Sequence, residues 1–419
     1  QPLLILLAIC QFAKAQAPAI QWQKCLGGKN YDYGSAVKQT SDNGFIIAAT
    51  TNSTDGDVKS IYGGSDSWVI KLDKKNNIEW QITIGGSYDE YSNSILQTSD
   101  GGYLLAATTY SFDYDIPFQH GGSDILIVKL NAKGKTEWIK TYGGSFNDEA
   151  GSVIETKKGD FMMIGTTNSN NGDVYGLHGF SDDVWLLNID KNGFINWQQC
   201  AGGTGNERGI SIQQTKDKGF IFSARTDSND GDVYGNHGAS DIWLVKTDAA
   251  YVVEWQKCMG GSVNDYPGNV VIHSDGGYLV SGVTESFNGD VTNNYGSFDA
   301  WLVKCKNNGV IEWQQSFGGT NVEGVYSLPG TVTAYQTIDG GYFFATTTNS
   351  KNKDITHNNG RGDFWLVKLD SKRKITWQKS LGGSKYEDAY NAIVTRDGGY
   401  AIIGSTESDD KDVKGQTAS

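Results

Sequence analysis

A tryptophan recurs along the chain at a nearly fixed interval, and that period leaves few folds open. Trp22, Trp80, Trp138, Trp197, Trp255, Trp313 and Trp377 are 58, 58, 59, 58, 58 and 64 residues apart. A period of this length marks a repeat architecture, in which each unit buries its apolar faces only by stacking on its neighbours. Within a unit, short β-type runs alternate with turn residues. In the second unit, strand a covers residues 79–84 and ends at Gly85-Gly86. Strand b covers 92–98 and runs into the turn Asp100-Gly101-Gly102, whose glycines supply the positive φ angles of a tight hairpin. Strand c follows at 103–109 and strand d at 124–130, before the polar turn that leads to Trp138.

Four antiparallel runs per unit, seven units and no helical period between them predict an all-β fold. The expected form is a seven-bladed β-propeller of four-stranded antiparallel blades, forming a single domain over residues 18–419 with one blade per repeat starting near each Trp. A β-helix would need much shorter coils. Separate 58-residue domains would each bury little surface, and no linkers divide them. Residues 407–419 match the c–d loop that precedes strand d elsewhere, so the seventh blade is expected to be incomplete in this fragment.

A second aromatic repeats in strand d: Trp68, Trp185, Trp243, Trp301 and Trp365, with Leu126 in the second unit. Two residues earlier an aspartate stands every time, as Asp66, Asp124, Asp183, Asp241, Asp299 and Asp363. The Trp is expected to pack between neighbouring sheets. The Asp is expected to accept backbone hydrogen bonds where the long c–d loop enters the strand.

Residues 1–17 read as the remainder of a secretory signal peptide. Leu3 to Ile9 is an apolar core too short to span a bilayer, and Ala13-Lys14-Ala15-Gln16-Ala17 offers small-residue cleavage sites. The mature protein is therefore expected to be secreted or held at the cell surface, with no transmembrane segment. A formal charge of −13 repels phosphate backbones, so nucleic acid is not an expected partner. Of the remaining cysteines, Cys25, Cys200 and Cys258 occupy equivalent places in different repeats, too far apart to bridge, and free thiols are expected.

Carboxylates repeat as regularly as the tryptophans. Ten residues after each strand-a Trp stands Asp32, Glu90, Asp148, Glu207, Asp265, Glu323 or Glu387. The c–d loops add Asp57, Asp115, Asp173, Asp232, Asp290, Asp354 and Asp412, mostly within Gly-Asp-Val. Three readings stay open. Such acids cap turns by accepting backbone amides. Hard oxygen ligands on glycine-containing loops also suit calcium, with Asp57, Asp173, Asp232 and Asp290 as candidate ligands, although the spacing is not that of an EF-hand. A carboxylate pair across a channel would suit glycoside hydrolysis. His120, His178 and His237 share one loop position with Tyr62 and Tyr295, which points to hydrogen bonding or packing and away from zinc.

Departures from the repeat are the places to look for a specific site. The second unit carries Phe112-Asp113-Tyr114-Asp115-Ile116-Pro117-Phe118 where others have Gly-Asp-Val, and the sixth is lengthened around Tyr326. Phe112, Tyr114, Phe118 and Tyr326 are the candidate ligand-binding residues, since rim aromatics stack on sugars or anchor partners. The sequence holds no Walker loop, dinucleotide-binding glycine motif, His-Glu-x-x-His or Gly-x-Ser-x-Gly elbow.

The units resemble the WQK-x-x-GGS, DGGY and GDV-x-G-x-HG-x-SD-x-W-x-VK repeats of secreted proteins from Bacteroidetes-type bacteria. The matching stretches include Trp255-Gln256-Lys257, Asp275-Gly276-Gly277-Tyr278 and Gly231-Asp232-Val233-Tyr234-Gly235-Asn236-His237-Gly238. The resemblance implies surface display or release through type IX secretion, by way of a sorting domain that this sequence does not contain. Together these features predict a secreted or cell-surface scaffold that binds a glycan or a protein through its long-loop face. A polysaccharide-degrading hydrolase or lyase, or a structural spacer, are the alternatives.

Overall fold

The computed structural model describes residues 3–8, 16–324 and 331–415. It is all-β, built of the four-stranded antiparallel blades of a β-propeller. Six sheets are each made of four consecutive strands. A seventh is composite, with the order Glu387–Val394, Tyr400–Thr406, Leu3–Ala8, Ile20–Leu26. The described chain divides into two compact units. One comprises Gln1–Val37, His237–Ile242 and Met259–Ser419, and the other Lys38–Asn236 and Trp243–Cys258.

Two expectations are corrected here. Sheets and sequence repeats are out of phase by one strand. Strand d of the second repeat, Asp124–Leu130, pairs with Thr136–Tyr142, which carries the Trp of the third repeat, so the sheet order is b–c–d–a with strand a taken from the next unit. The pairs Val128–Ile139 and Leu126–Thr141 show an ordinary antiparallel ladder across this repeat boundary. Nor is the last sheet short of a strand. Its d position is filled by Leu3–Ala8, which pairs with both Tyr400–Thr406 and Ile20–Leu26. Strands d elsewhere are buried along their whole length and carry a run of mostly apolar residues between their Asp and Lys. An apolar run that resembles a leader core therefore also has the composition of a strand d.

Successive sheets within a unit pack face to face through apolar side chains. In the second unit, Leu104, Ile125, Ile127 and Tyr142 of one sheet meet Phe161, Met163, Trp185 and Leu187 of the next. Strands b of successive sheets crowd together. A Cβ on Gly151 would lie 2.5 Å from the Gly209 carbonyl oxygen, so only glycine permits this approach.

The b–c turns are tied to the far side of their sheets by a buried lysine of strand d. Lys246 Nζ contacts Asp217 Oδ2 and Glu254 Oε2, both at 2.9 Å, and the Thr247 carbonyl at 2.7 Å. Lys71 with Asp42 and Glu79, Lys129 with Asp100 and Glu137, and Lys304 with Asp275 and Glu312 repeat the arrangement. In the third repeat all three positions change together. Asn188 replaces the lysine and is joined by Asn196 at 2.9 Å, while Lys158 takes the place of the turn Asp. A buried ammonium without any acid would be costly. The third repeat removes the lysine and both acids, while the sixth keeps Lys368 with Asp339 at 2.8 Å and has Thr376 at the glutamate position.

Candidate functional site

The repeated acids meet at the joints between consecutive sheets. The strand-d Asp uses Oδ2 to accept the amide four or five residues earlier: Tyr62 N to Asp66 at 2.8 Å, His178 N to Asp183 at 2.9 Å and Tyr295 N to Asp299 at 2.7 Å. The strand-b acid of the following sheet turns back to the second glycine of the preceding Gly-Gly. Gly86 N reaches Glu90 at 2.7 Å, Gly203 N reaches Glu207 at 2.8 Å, and Gly28 N reaches Asp32 at 2.9 Å. The first glycine of six of these pairs, Gly85, Gly143, Gly202, Gly260, Gly318 and Gly382, lies between the two carboxyl groups, whereas Gly27 has only Asp32 beside it. A Cβ on Gly143 would stand 2.5 Å from Asp124 Oδ1 and 2.7 Å from Asp148 Oδ2, and one on Gly260 would stand 2.5 Å from Asp265 Oδ2 and 2.6 Å from Asp241 Oδ1.

All six strand-d aspartates are fully buried, and each leaves Oδ1 without a protein donor among the described residues. Burial, with the facing acid, pushes these carboxyl groups up. Asp66 rises to about 7, and Asp148, Asp183, Asp265 and Asp363 to about 6. Asp299 and Glu323, in direct contact, are both raised, first by burial. Where two carboxyl groups face each other across the glycine, burial and mutual repulsion favour the protonated form of one of them.

The c–d loop Asp closes the joint from outside. Asp173 N donates to the Gly143 carbonyl at 2.9 Å and its Oδ2 accepts Gly143 N at 3.3 Å, and Asp232 repeats both bonds with Gly202. Asp290 N likewise reaches the Gly260 carbonyl at 2.8 Å. The histidines bridge two acids: His120 Nδ1 lies 2.8 Å from Asp124 and Nε2 3.6 Å from Asp173, with His178 between Asp183 and Asp232 and His237 between Asp241 and Asp290. Among the described residues, no group of three or more His, Cys, Asp or Glu side chains is arranged to hold a metal ion.

The strand-d tryptophans are buried, and their indoles serve the same loops. Trp185 Nε1 donates to Gln198 Oε1 at 2.7 Å, and Gln198 Nε2 passes the bond on to the Tyr175 carbonyl of the c–d loop at 3.0 Å. Trp243 with Gln256 and Trp365 with Gln378 tie their loops the same way, and Trp68 and Trp301 donate to Gln81 and Gln314. In the second repeat both members change at once, to Leu126 and Ile139. That loop keeps the bond of Thr141 Oγ1 to the Phe118 carbonyl at 2.6 Å, which Thr83 Oγ1 also makes to the Ser60 carbonyl at 2.7 Å in the first repeat beside its Trp–Gln pair.

This same loop carries the aromatics singled out above. Ile116 is buried as Val174 and Val233 are, so the backbone follows the Gly-Asp-Val course, with Tyr114 at the glycine position. Tyr114 has φ +53°, close to Gly172 at +66° and Gly231 at +62°. A tyrosine is strained there by about 1–2 kcal/mol. The conformation throws its ring outward, 69% exposed and 5.3 Å from Tyr62. Phe112, 60% exposed, stands 5.8 Å from Tyr88, and Phe118, 58% exposed, meets His120 edge-on. Tyr326 lies outside the described residues.

Cys200, Cys258 and Cys305 are buried and Cys25 is half-buried, and none of the four forms a disulfide among the described residues. Burial, helped by neighbouring acids, pushes the Cys200 thiol up to about 12 and Cys25 to about 11, which leaves little thiolate at neutral pH. No described helix is long and apolar enough to cross a membrane.

No family model and no curated protein matches the chain. Among solved structures it is similar to a protein of unknown function from Dyadobacter fermentans, at 12% identity and a TM-score of 0.47, over 90% of this chain and 97% of that one. It is also similar to a protein of unknown function from Bacteroides caccae, at 12% identity and a TM-score of 0.42, over 76% and 94%. A third is the β-propeller domain of the Trilobed protease from Pyrococcus furiosus, at 10% identity and a TM-score of 0.45, over 90% and 91%. At such identities a likeness concerns the fold alone.

Proposed function

We propose that this chain is an exported binding scaffold whose recognition surface is the c–d loop of the second repeat, and that its sheets form one seven-bladed propeller. The observation that carries the reading is the pairing of Tyr114 with Tyr62 and of Phe112 with Tyr88 on exposed loops, at the repeat where Gly-Asp-Val has been given up. Lys353 and Lys411 take the same left-handed backbone at the equivalent position, so the distinguishing feature of Tyr114 is the exposed aromatic ring it presents there. Raised carboxyl pKa values are the usual sign of a catalytic site. Here they recur at joint after joint and belong to buried groups engaged with backbone, so we read them as structural. Glycan and protein are both ligands that such a surface fits.

Tyr114→Gly separates binding from stability. Glycine relieves the left-handed backbone, so Tm is expected to hold or rise slightly, while affinity for the ligand found on a glycan and surface-protein panel falls at least tenfold. Unchanged affinity would sink the assignment of this loop. Release of cleaved sugar in the same wells would overturn the scaffold reading.

Export through residues 1–17 belongs to the same reading, in keeping with the secreted Bacteroidetes-type repeats and their type IX route. Mass spectrometry of protein recovered outside the cell is expected to place the first residue at Gln16 or Pro18, in which case Leu3–Ala8 is lost and the d position of the last sheet is left to another segment. A chain that retains Leu3–Ala8 would instead keep that segment as a strand.

A further inference from the structure

We propose that the groove between the second and third consecutive-strand sheets is a subsite for a neutral sugar unit. The inference rests on the binding-scaffold reading above and adds a location and a ligand class to it. The groove has a volume of about 450 Å³, within the range of small-molecule sites. One wall is the c–d loop at Pro117 and Phe118, the floor is strand a at Ile139–Tyr142, and the far wall is the next d–a turn at Phe194.

Its existence follows from the paired change in the second repeat. Where Trp and Gln are present, the glutamine fills the space between strand a and the loop and straps one to the other. With Leu126 and Ile139, that polar bridge is gone and an apolar floor replaces it. The corresponding groove one sheet earlier keeps Gln81 and Tyr62. It measures about 230 Å³ and has no phenylalanine in its lining. The groove is thus a regular feature of the fold that this repeat has widened and faced with aromatic rings.

The chemistry of the walls selects the ligand. Phe118 and Phe194 are 58% and 65% exposed; Phe118, and the face of Phe194 that Lys140 does not cover, are the apolar surfaces for the C–H side of a sugar ring. Polar groups converge between them. His120 and Asp173 stand 3.6 Å apart, and Lys140 Nζ sits 3.6 Å from the Phe194 ring centre and 2.9 Å from the Gly193 carbonyl. Tyr142 Oη donates to the same carbonyl at 2.7 Å and fixes the turn. The lining pairs one cationic side chain, Lys140, with one anionic side chain, Asp173, so the groove presents no excess of either sign to an ion. The chain's formal charge of −13 disfavours an anionic ligand further. Hydroxyls can take and give hydrogen bonds here without bringing charge.

Saturation-transfer NMR and calorimetry on the whole chain, with cello-, xylo-, manno- and chito-oligosaccharides, test the proposal. At least one is expected to bind, with affinity lowered at least tenfold by Phe194→Ala and by Phe118→Ala at unchanged Tm. Phe180→Ala, a fully exposed ring elsewhere on the third repeat, is expected to have no effect. Binding that survives Phe194→Ala but is lost in Tyr114→Gly overturns the subsite and leaves the scaffold reading standing. Binding only of oligogalacturonate, or of a protein partner and no sugar, overturns the subsite likewise. Loss of every interaction at both loci would overturn the two together.

Discussion

Thermal stability of the whole chain is expected to peak at about pH 4 and to fall as pH rises to about 7, the reverse of the usual acid sensitivity. Burial, with an acid facing across each glycine, raises Asp66 to about 7 and Asp148, Asp183, Asp265 and Asp363 to about 6. In an unfolded chain these groups titrate near 4. A folded-state pKa above the unfolded one contributes stability that is complete below the unfolded value and is lost as pH rises through the folded value. The window is therefore roughly pH 4 to 7 for these five, with Asp299 acting in the same direction. At the turns the sign is opposite. Burial tends to raise Asp42, Asp100, Asp217 and Asp275, but hydrogen bonds from lysine, backbone amides and, in three of them, threonine outweigh it and hold each at about 2. Their contribution is present above about pH 4 and disappears as pH falls towards 2. The two sets together leave a maximum on the acidic side.

Each raised group accounts for about 3–4 kcal/mol between the ends of its window, an upper figure that relaxation of the joint reduces. Tm is accordingly expected to drop by several degrees between pH 5 and 8, and Asp183→Asn with Glu207→Gln should flatten part of the slope. Repeating the series in excess calcium and in chelator tells a proton from a cation. A proton-holding joint gives superimposable curves. A Tm that rises with calcium at pH 8 would restore the ligand reading of Asp57, Asp173, Asp232 and Asp290, because a ligand of the native state must stabilise it. A pH profile flat from 5 to 8 would remove the shared proton altogether.

What the sequence discloses and what it hides divide along the range of the interactions. Turns, strands and the recurring acids are local, and the Trp22-to-Trp377 period displays them seven times. Pairing between strands is not local. The period is the same whether Trp138 heads one sheet or ends another, so the one-strand offset between repeat and sheet leaves no trace in it. Leu3–Ala8 shows the same limit, since an apolar run is compatible with a leader and with a buried strand. The groove is legible in part. Leu126 stands out as a missing Trp, but Ile139 as the lost glutamine gains meaning only when Trp185 and Gln198 are seen bonded at 2.7 Å. The lysine clusters do carry a sequence signal, though a faint one: Lys71 and Glu79, Lys129 and Glu137, and Lys246 and Glu254 all stand eight residues apart, and the third repeat loses lysine, glutamate and turn aspartate together.

That joint loss leads to the second large effect, an asymmetry between removing the lysine and removing its acids. Lys246 is almost wholly buried, while Asp217 and Glu254 are each about half exposed. Lys246→Met returns two acids to water and puts an apolar side chain of similar length into the sheet, so the cost should stay below about 1–2 kcal/mol. Asp217→Asn with Glu254→Gln acts differently. The amide introduced at position 217 would keep an oxygen for the Gly219 N–H, which Asp217 Oδ1 now accepts at 3.0 Å, and would turn its own N–H toward the ammonium. The lysine would then be buried with only neutral acceptors, the Thr247 carbonyl at 2.7 Å and the amide oxygen introduced at position 254, and no anion beside it. Breaking a buried pair from this side costs about 3–5 kcal/mol. Transplanting the third repeat's solution, Lys246→Asn with Glu254→Asn and Asp217→Lys, should recover most of that loss, because Asn188 and Asn196 already show the neutral pair closing at 2.9 Å and Asn188 Nδ2 reaching the Phe161 carbonyl at 3.1 Å. Urea midpoints for the three variants give the comparison directly. Equal losses for Lys246→Met and the double amide variant would mean that the cluster is held by its hydrogen-bond geometry and not by the need to neutralise a buried cation.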